Sequence, residues 1–274
     1  MSEDASATMA VFLDLENIAL GAKDARYPRF DIKLVLERLL LRGHIVVKKA
    51  YCDFDRYKEF KRDLHEAAFE LIEIPHVRQS GKNSADIRMV VDALDLCYTK
   101  QHLDTFVILS GDSDFSPLVS KLRENAKTVI GMGVKNSSSD LFINNCDQFL
   151  YYDDLVREKP GGGRSRSRRK PAAKKPAENG AEGEAANGEP AVEGPTLEQA
   201  LDQVAATLEA LEAERGDDKI WASMIKQALK RRNPGFNERA HGFRSFNDLL
   251  RVAEERGILK LEASSGQFLV RSAE

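Results

Sequence analysis

Four aspartates carry the chemistry that this sequence offers. Asp112 and Asp114 stand two residues apart in TFVILSGDSDFSPL (105–118), Asp14 follows the apolar run MAVFL, and Asp86 opens the stretch ADIRMVVDALDLCY. Carboxylates are hard oxygen donors, and two held close together repel unless a cation lies between them. With no histidine nearby, the set suits Mg²⁺ or Mn²⁺ rather than zinc. Such an ion lowers the pKa of a bound water and holds a scissile phosphate, so metal-assisted phosphodiester hydrolysis is the expected chemistry. Each acid alone has a duller reading as a helix cap or turn residue. That reading weakens for four acids delivered by three separate segments.

The elements that must position them are legible as apolar runs. Phe106 to Leu109 is rich in aromatic and β-branched residues and reads as a strand buried on both faces, ending at Ser110-Gly111. Ser116 is expected as a helix N-cap, with Pro117 in the first helical position. Met9 to Leu15 is a second buried strand with Asp14 at its carboxyl end, followed by Glu16 and Asn17. In the helix expected over 85–98, Met89, Val90, Ala93, Leu96 and Cys97 share the direction of Asp86, whereas Asp92 and Asp95 lie off that stripe. Asp86 also falls in the first turn, where the helix dipole favours a carboxylate. Further strands are expected at 44–51, 70–77, 127–134 and 148–152, and helices at 31–41, 55–69 and 138–146. This alternation predicts an α/β unit in three layers, a parallel sheet with helices on both faces. Chemistry in such folds gathers at the carboxyl ends of the strands. Asn17 and Ser110 are auxiliary candidates there. Lys82 joins them from the polar turn RQSGKNS (78–84), where it and Arg78 are placed to contact phosphate.

Composition bounds the alternatives. The 274 residues are 42% hydrophobic and carry a net charge of -3, so there is no global nucleic-acid signature and only local patches can supply one. Cys52, Cys97 and Cys146 are odd in number and set among apolar neighbours, as expected of reduced core thiols in a cytoplasmic protein. The first ten residues are polar and no apolar run reaches membrane-spanning length, so no membrane association is expected. Residues 158–195 are basic over 161–175 and acidic afterwards, with too few apolar residues to fold; a disordered linker is expected, its basic arm a secondary source of RNA affinity. Residues 196–274 show helical periodicity over 196–212, 219–231 and 243–256, then short strands at 258–262 and 267–271. This is the order of a small winged helix-turn-helix domain. Lys226, Lys230, Arg231, Arg232, Arg239 and Arg244 give it a basic face for which RNA contact and plain solvation are equally weighted. Phe236, Phe243 and Phe246 are expected in its core. The organisation is thus a disordered 1–8, an α/β domain over 9–157, the linker, and the C-terminal domain.

VFLDLENI (11–18), GKNSADIRMVVDALDL (81–96), TFVILSGDSDFSPLVSKLRE (105–124) and NCDQFLYYDDL (145–155) together resemble the NYN domain family, a branch of the PIN-like nuclease superfamily that includes the LabA-like group. The resemblance implies a metal-dependent ribonuclease, endonucleolytic by expectation, with Mg²⁺ or Mn²⁺ held by Asp14, Asp86, Asp112 and Asp114. Asn17 matches the family's Asn after the first acid. Asp147 matches a further family position, where a capping role serves equally well. KIWASMIKQALKRRNPGFNERAHGFRSFNDLL (219–250) with RGILKL (256–261) is similar to the OST-HTH, or LOTUS, domain. That implies an RNA-binding winged helix, although some domains of this type bind proteins. The expected whole is a nuclease acting on single-stranded RNA, tethered to an RNA-binding module. The alternative is a non-catalytic RNA- or protein-binding scaffold with the same fold. A haloacid-dehalogenase-type phosphatase is disfavoured because Glu16 stands where its second Asp belongs. A Toprim-type site is disfavoured because its other acid is usually a Glu on the opening strand.

Overall fold

The first strand, β1 (Ala7–Asp14), is apolar at every position from Met9 to Leu13 because it lies mid-sheet with helices above and below. Side chains alternate across a strand. Met9, Val11 and Leu13 therefore enter one core, and Ala10 and Phe12 the other. The computed structural model describes residues 7–74, 83–158, 197–215, 219–264 and 267–273. From β1 the chain runs through α1 (Leu15–Asp24) and α2 (Ile32–Leu40) to β2 (Gly43–Cys52), then α3 (Lys58–Glu66) and β3 (Glu70–Glu73). It returns through α4 (Ser84–Thr99) to β4 (Thr105–Leu109), which pairs with β1 on its other side. α5 (Ser116–Glu124), β5 (Thr128–Gly133), α6 (Asp140–Asn145), β6 (Gln148–Tyr151) and α7 (Tyr152–Glu158) complete the unit. The strand order is 3-2-1-4-5-6 and every neighbouring pair is parallel. Helices α1, α2, α3 and α7 cover one face, and α4, α5 and α6 cover the other.

In this order the winding reverses between β1 and β4. A doubly wound sheet opens a crevice at the carboxyl ends of the two strands where that happens. Asp14 ends one of these strands, and Asp112 follows the other by three residues.

Several local expectations shift. Residues 15–24 form a helix that the apolar pattern does not announce, with Asp14 as its N-cap. The expected strand 70–77 is described only as far as residue 74, and Arg78 and Lys82 lie outside the described residues, as do residues 159–196. α5 is capped by Phe115 rather than Ser116, because a 3₁₀ turn over Ser113–Phe115 leads into it and Pro117 sits one position further in. The Ser116 hydroxyl is buried and makes no hydrogen bond. Cys52, Cys97 and Cys146 are free and buried.

Beyond residue 196, α8 (Leu197–Arg215), α9 (Ala222–Arg232) and α10 (Phe246–Glu255) pack with an antiparallel hairpin of β7 (Leu259–Ser264) and β8 (Gln267–Ser272). Trp221, ahead of α9, bridges to Leu269 on the hairpin. Phe236 and Phe246 are buried in this third core, and Phe243 packs against it. Gly257 ends α10 at φ +72°, a left-handed position that favours glycine. This unit touches the sheet: the Phe149 N–H, on the outer edge of β6, donates to the Pro234 carbonyl at 3.1 Å. An otherwise open sheet edge is covered in that way. Among the described residues no helix is long and apolar enough to cross a membrane.

Candidate active site

Three acids meet at the β1/β4 crevice, linked by a chain of short polar contacts. Asp14 is 9% exposed at the end of β1. Its Oδ1 accepts the Asn17 N–H at 3.2 Å, which starts α1, and its Oδ2 accepts the Ser110 hydroxyl at 2.9 Å. The Ser110 Oγ in turn accepts the Asp112 N–H at 3.2 Å. Asp112 caps the 3₁₀ turn by accepting the Asp114 N–H at 2.9 Å. Asn17 clamps the same turn, its Oδ1 accepting the Gly111 N–H at 2.9 Å. One serine and one asparagine thus fix the two strand ends against each other.

Gly111 is required by what lies over it. A Cβ there would fall 2.2 Å from the Ser137 carbonyl oxygen, and its own carbonyl accepts the Ser139 N–H at 2.9 Å. The segment 137–139 therefore roofs the turn, and nothing in the local residue pattern around Gly111 announces that approach.

The electrostatics are one-sided. Burial, above all, pushes the Asp14 carboxyl up to about 7; its two hydrogen bonds work against this, and repulsion from Asp86 and Asp112 adds to it. Asp86 is raised as well, by burial first and then by Asp112, Asp114 and Glu16. Among the described residues, the charged groups that act most on these two carboxyls are Asp86, Asp112, Asp114 and Glu16. Structural carboxylates are ordinarily lowered by a partner, and these two are raised instead. Asp114 is exposed on the rim and acts on Asp86 across the opening.

The candidates therefore divide. Asp14, Asn17, Ser110 and Asp112 form one bonded cluster that also holds the Asp114 backbone, and Asp86 acts on it through space. Glu16, left without a role by the sequence, belongs to this field: α1 turns it toward Asp86 while Arg56 pairs with it at 3.5 Å. An Asp at an N-cap followed by an acid in the first turn and Lys23 in the last was the signal for that helix. Asp147 has a structural place. It accepts the Val129 N–H at 2.8 Å and pairs with Arg123 at 3.1 Å, tying β5 to α5. The basic candidates lie elsewhere, on α9 and the segment after it. Lys226 pairs with Glu238 at 2.7 Å, Arg232 donates to the Ala206 carbonyl, Lys230 is half-buried, and Arg231, Arg239 and Arg244 are exposed.

The donor set suits a hard divalent cation, which offsets the repulsion the acids exert on one another. Among the described residues no group of three or more His, Cys, Asp or Glu side chains is placed to hold a metal ion. Mg²⁺ does not demand one, since it keeps several waters and is held through one or two carboxylates.

The sequence profile of the NYN domain matches residues 8–153, more than half of the chain. The chain belongs to the NYN domain family. That family is a branch of the PIN-like nuclease superfamily, and all four aspartates fall inside the matched region. Proteins named meiosis regulator and mRNA stability factor 1, from Xenopus tropicalis and Mus musculus, are each 24% identical to this chain over 152 residues. The alignment covers 56% of this chain but only 9% of either relative. A crystal structure of a protein of unknown function from Vibrio parahaemolyticus superposes with a TM-score of 0.50 at 25% identity, covering 57% of this chain and 98% of that one. This chain thus spans only about a tenth of the length of those vertebrate relatives.

Proposed function

We propose that this chain is a metal-dependent ribonuclease whose NYN unit hydrolyses RNA phosphodiester bonds and whose C-terminal unit is an OST-HTH (LOTUS) winged helix that binds RNA. The observation that carries the reading is the gathering of Asp14, Asp86 and Asp112 in one crevice, where Asp86 and Asp112 raise the pKa of Asp14 and Asp112 raises that of Asp86. Asp14, Asp86 and Asp112, with Asp114 at the rim, would hold Mg²⁺ or Mn²⁺. When bound, such an ion activates water and offsets charge on the phosphoryl group. The chain's own residues contribute position. Ser110 holds Asp14 and the Asp112 backbone in one register, and Asn17 fixes the Gly111 turn so that Asp112 faces the opening. The name of the vertebrate relatives, an mRNA stability factor, supports RNA as the substrate class.

For the C-terminal unit, the support is the order of three helices and a hairpin, with the Trp221–Leu269 bridge tying the start of α9 to the hairpin. The cations Lys226, Lys230, Arg231, Arg232, Arg239 and Arg244 would supply RNA contact. A second reading, a non-catalytic RNA-binding scaffold, draws on the open arrangement of the acids, which do not form a three-carboxylate cage. Purified protein incubated with labelled single-stranded RNA and Mn²⁺, Mg²⁺ or chelator separates the two. Cation-dependent shortening that Asp112→Asn abolishes supports the nuclease; intact RNA under every condition supports the scaffold.

A further inference from the structure

A second charged site lies where the C-terminal unit meets the NYN sheet, and no motif marks it. A cavity of about 170 Å³ runs along the outer edge of β6. Arg38 and Arg42 enter it from α2 and the turn after it, Lys226 and Lys230 from α9, and Arg239 from the segment beyond. Asp154 and Glu238 are the acids of its lining. Both acids are already engaged, Asp154 with Arg157 and Asn237, and Glu238 with Lys226.

The cations press on one another. Lys230 is lowered by burial and then by Lys226, with Arg42 and Arg38 adding to it from the other unit while Glu238 opposes. Arg42 is lowered by burial and then by Arg38. Gathering cations from two units into a half-buried space is unfavourable unless an anion occupies it. Guanidinium groups match phosphate with paired hydrogen bonds, which makes phosphate the fitting class.

We propose that this cleft binds a backbone phosphate of single-stranded RNA, gripped jointly by Arg42 of the NYN unit and Lys230 of the C-terminal unit. The inference rests on the ribonuclease reading for its choice of ligand, and it deepens that reading. Two features favour a polymer over a free phosphate. Positive charge continues from Lys230 into the exposed Arg231 at the end of α9, and Arg239 stands exposed at the rim, so the charge is not confined to one pocket. β6 is also two strands from β4, about 10 Å by strand spacing, so the cleft and the acid crevice lie on one sheet within reach of a single RNA chain.

The test measures binding of a fluorescent single-stranded RNA to the full chain in chelator, across a salt series. Arg42→Gln and Lys230→Gln are each expected to weaken binding roughly tenfold. The salt slope should become shallower by about 1, with melting temperature unchanged or higher because repulsion is relieved. Shared use of one phosphate makes the double variant lose less than the sum of the single losses; full additivity, or wild-type affinity in folded variants, overturns the proposal. If either variant fails to fold, Arg239→Gln at the rim is measured instead, and unchanged binding there also overturns it. Inorganic phosphate that raises the melting temperature of wild type but not of the variants, with RNA binding unaffected by the substitutions, reassigns the cleft to a free anion and overturns the RNA form. Asp112→Asn keeps the two ideas apart. It is expected to bind RNA like wild type while losing cleavage, so absent cleavage with intact cleft-dependent binding sinks only the nuclease.

Discussion

Asp14 and Asp92 are two mostly buried carboxylates on the same α/β body, and they are treated in opposite ways. Asp92 arrives with its partners: the Tyr51 hydroxyl donates to it at 2.9 Å, Arg88 reaches it at 3.0 Å from one turn back on α4, and Lys49 lies at 3.6 Å. Its side chain is 13% exposed, and every neighbour here is a donor or a cation. Asp14 is about as buried but has two neutral donors and two further acids. A carboxylate that only holds the fold together is satisfied by the fold. One that is left under repulsion reserves its charge for something that arrives from outside. The contrast yields a test at each position.

The largest effect is expected at Asp112. Asp112→Asn keeps a side-chain oxygen for the Asp114 N–H, so the 3₁₀ turn survives, yet a ligand charge is lost from the crevice. Cleavage should fall at least about a hundredfold, on the scale of losing a key electrostatic contact in a transition state, with the melting temperature unchanged or raised. Cleavage at the wild-type rate would place Asp112 in Asp92's class.

Asp14 gives the next effect, and its sign is opposite to that of a salt-bridged acid. Its folded pKa is near 7 against an ordinary value of 3.8. The folded protein therefore binds the proton more tightly than the unfolded chain does, and stability is greatest below about pH 4 as far as this group is concerned. It declines as pH rises toward 7 and levels off above that, by up to roughly 4 kcal/mol. Denaturant titrations from pH 4 to 8 should show this decline in wild type and lose its Asp14 part in Asp14→Asn, which retains the cap to Asn17. Added Mn²⁺ should flatten the wild-type decline, because a cation competes with the proton for the same carboxylates. A stability that climbs through the same window in wild type, with no difference in the variant, would contradict the charge distribution of the crevice.

Asp92→Ala supplies the mirror image. It leaves the Tyr51 hydroxyl without its acceptor in a mostly buried setting, while Lys49 keeps Glu70 at 2.8 Å. A loss of about 2 kcal/mol is expected, read as a lower denaturation midpoint. Cleavage per folded molecule should not change.

The sequence showed the acids and hid their surroundings. Asp14, Asp86, Asp112 and Asp114 could be found because apolar strands and an amphipathic stripe give each a phase and an end of the sheet. The parallel sheet followed from the same alternation. The α1 helix was missed because ENIALGAKD has a polar start and a short apolar face, so the Asp14 cap was its clearest mark. Asp92 was set off the buried stripe of α4, which is correct for the helix alone. Lys49 and Tyr51 on β2 then reach out to it, and contacts between elements leave no trace in the periodicity of either one. The roof over Gly111 and the cavity that Arg42 and Lys230 line from two units are hidden for the same reason. They exist only once the chain has closed on itself.

Glu16 stands between the two classes and makes the contrast sharpest. It has a counter-ion, Arg56 at 3.5 Å, as Asp92 does, yet it also pushes on Asp86, as the crevice acids do. Both Glu16 and Arg56 are substantially exposed, at 40% and 51% of their side chains, so the pair itself contributes little to stability. Glu16→Gln should therefore shift unfolding by no more than about 0.5 kcal/mol. If its charge belongs to the crevice, removing it weakens the pull on a divalent cation by a similar amount, and the Mn²⁺ concentration giving half-maximal cleavage rises about twofold. That rise should fade as salt is added, because a partly exposed charge is screened. An unchanged Mn²⁺ requirement at low salt would assign Glu16 to the fold alone and narrow the crevice to the four aspartates.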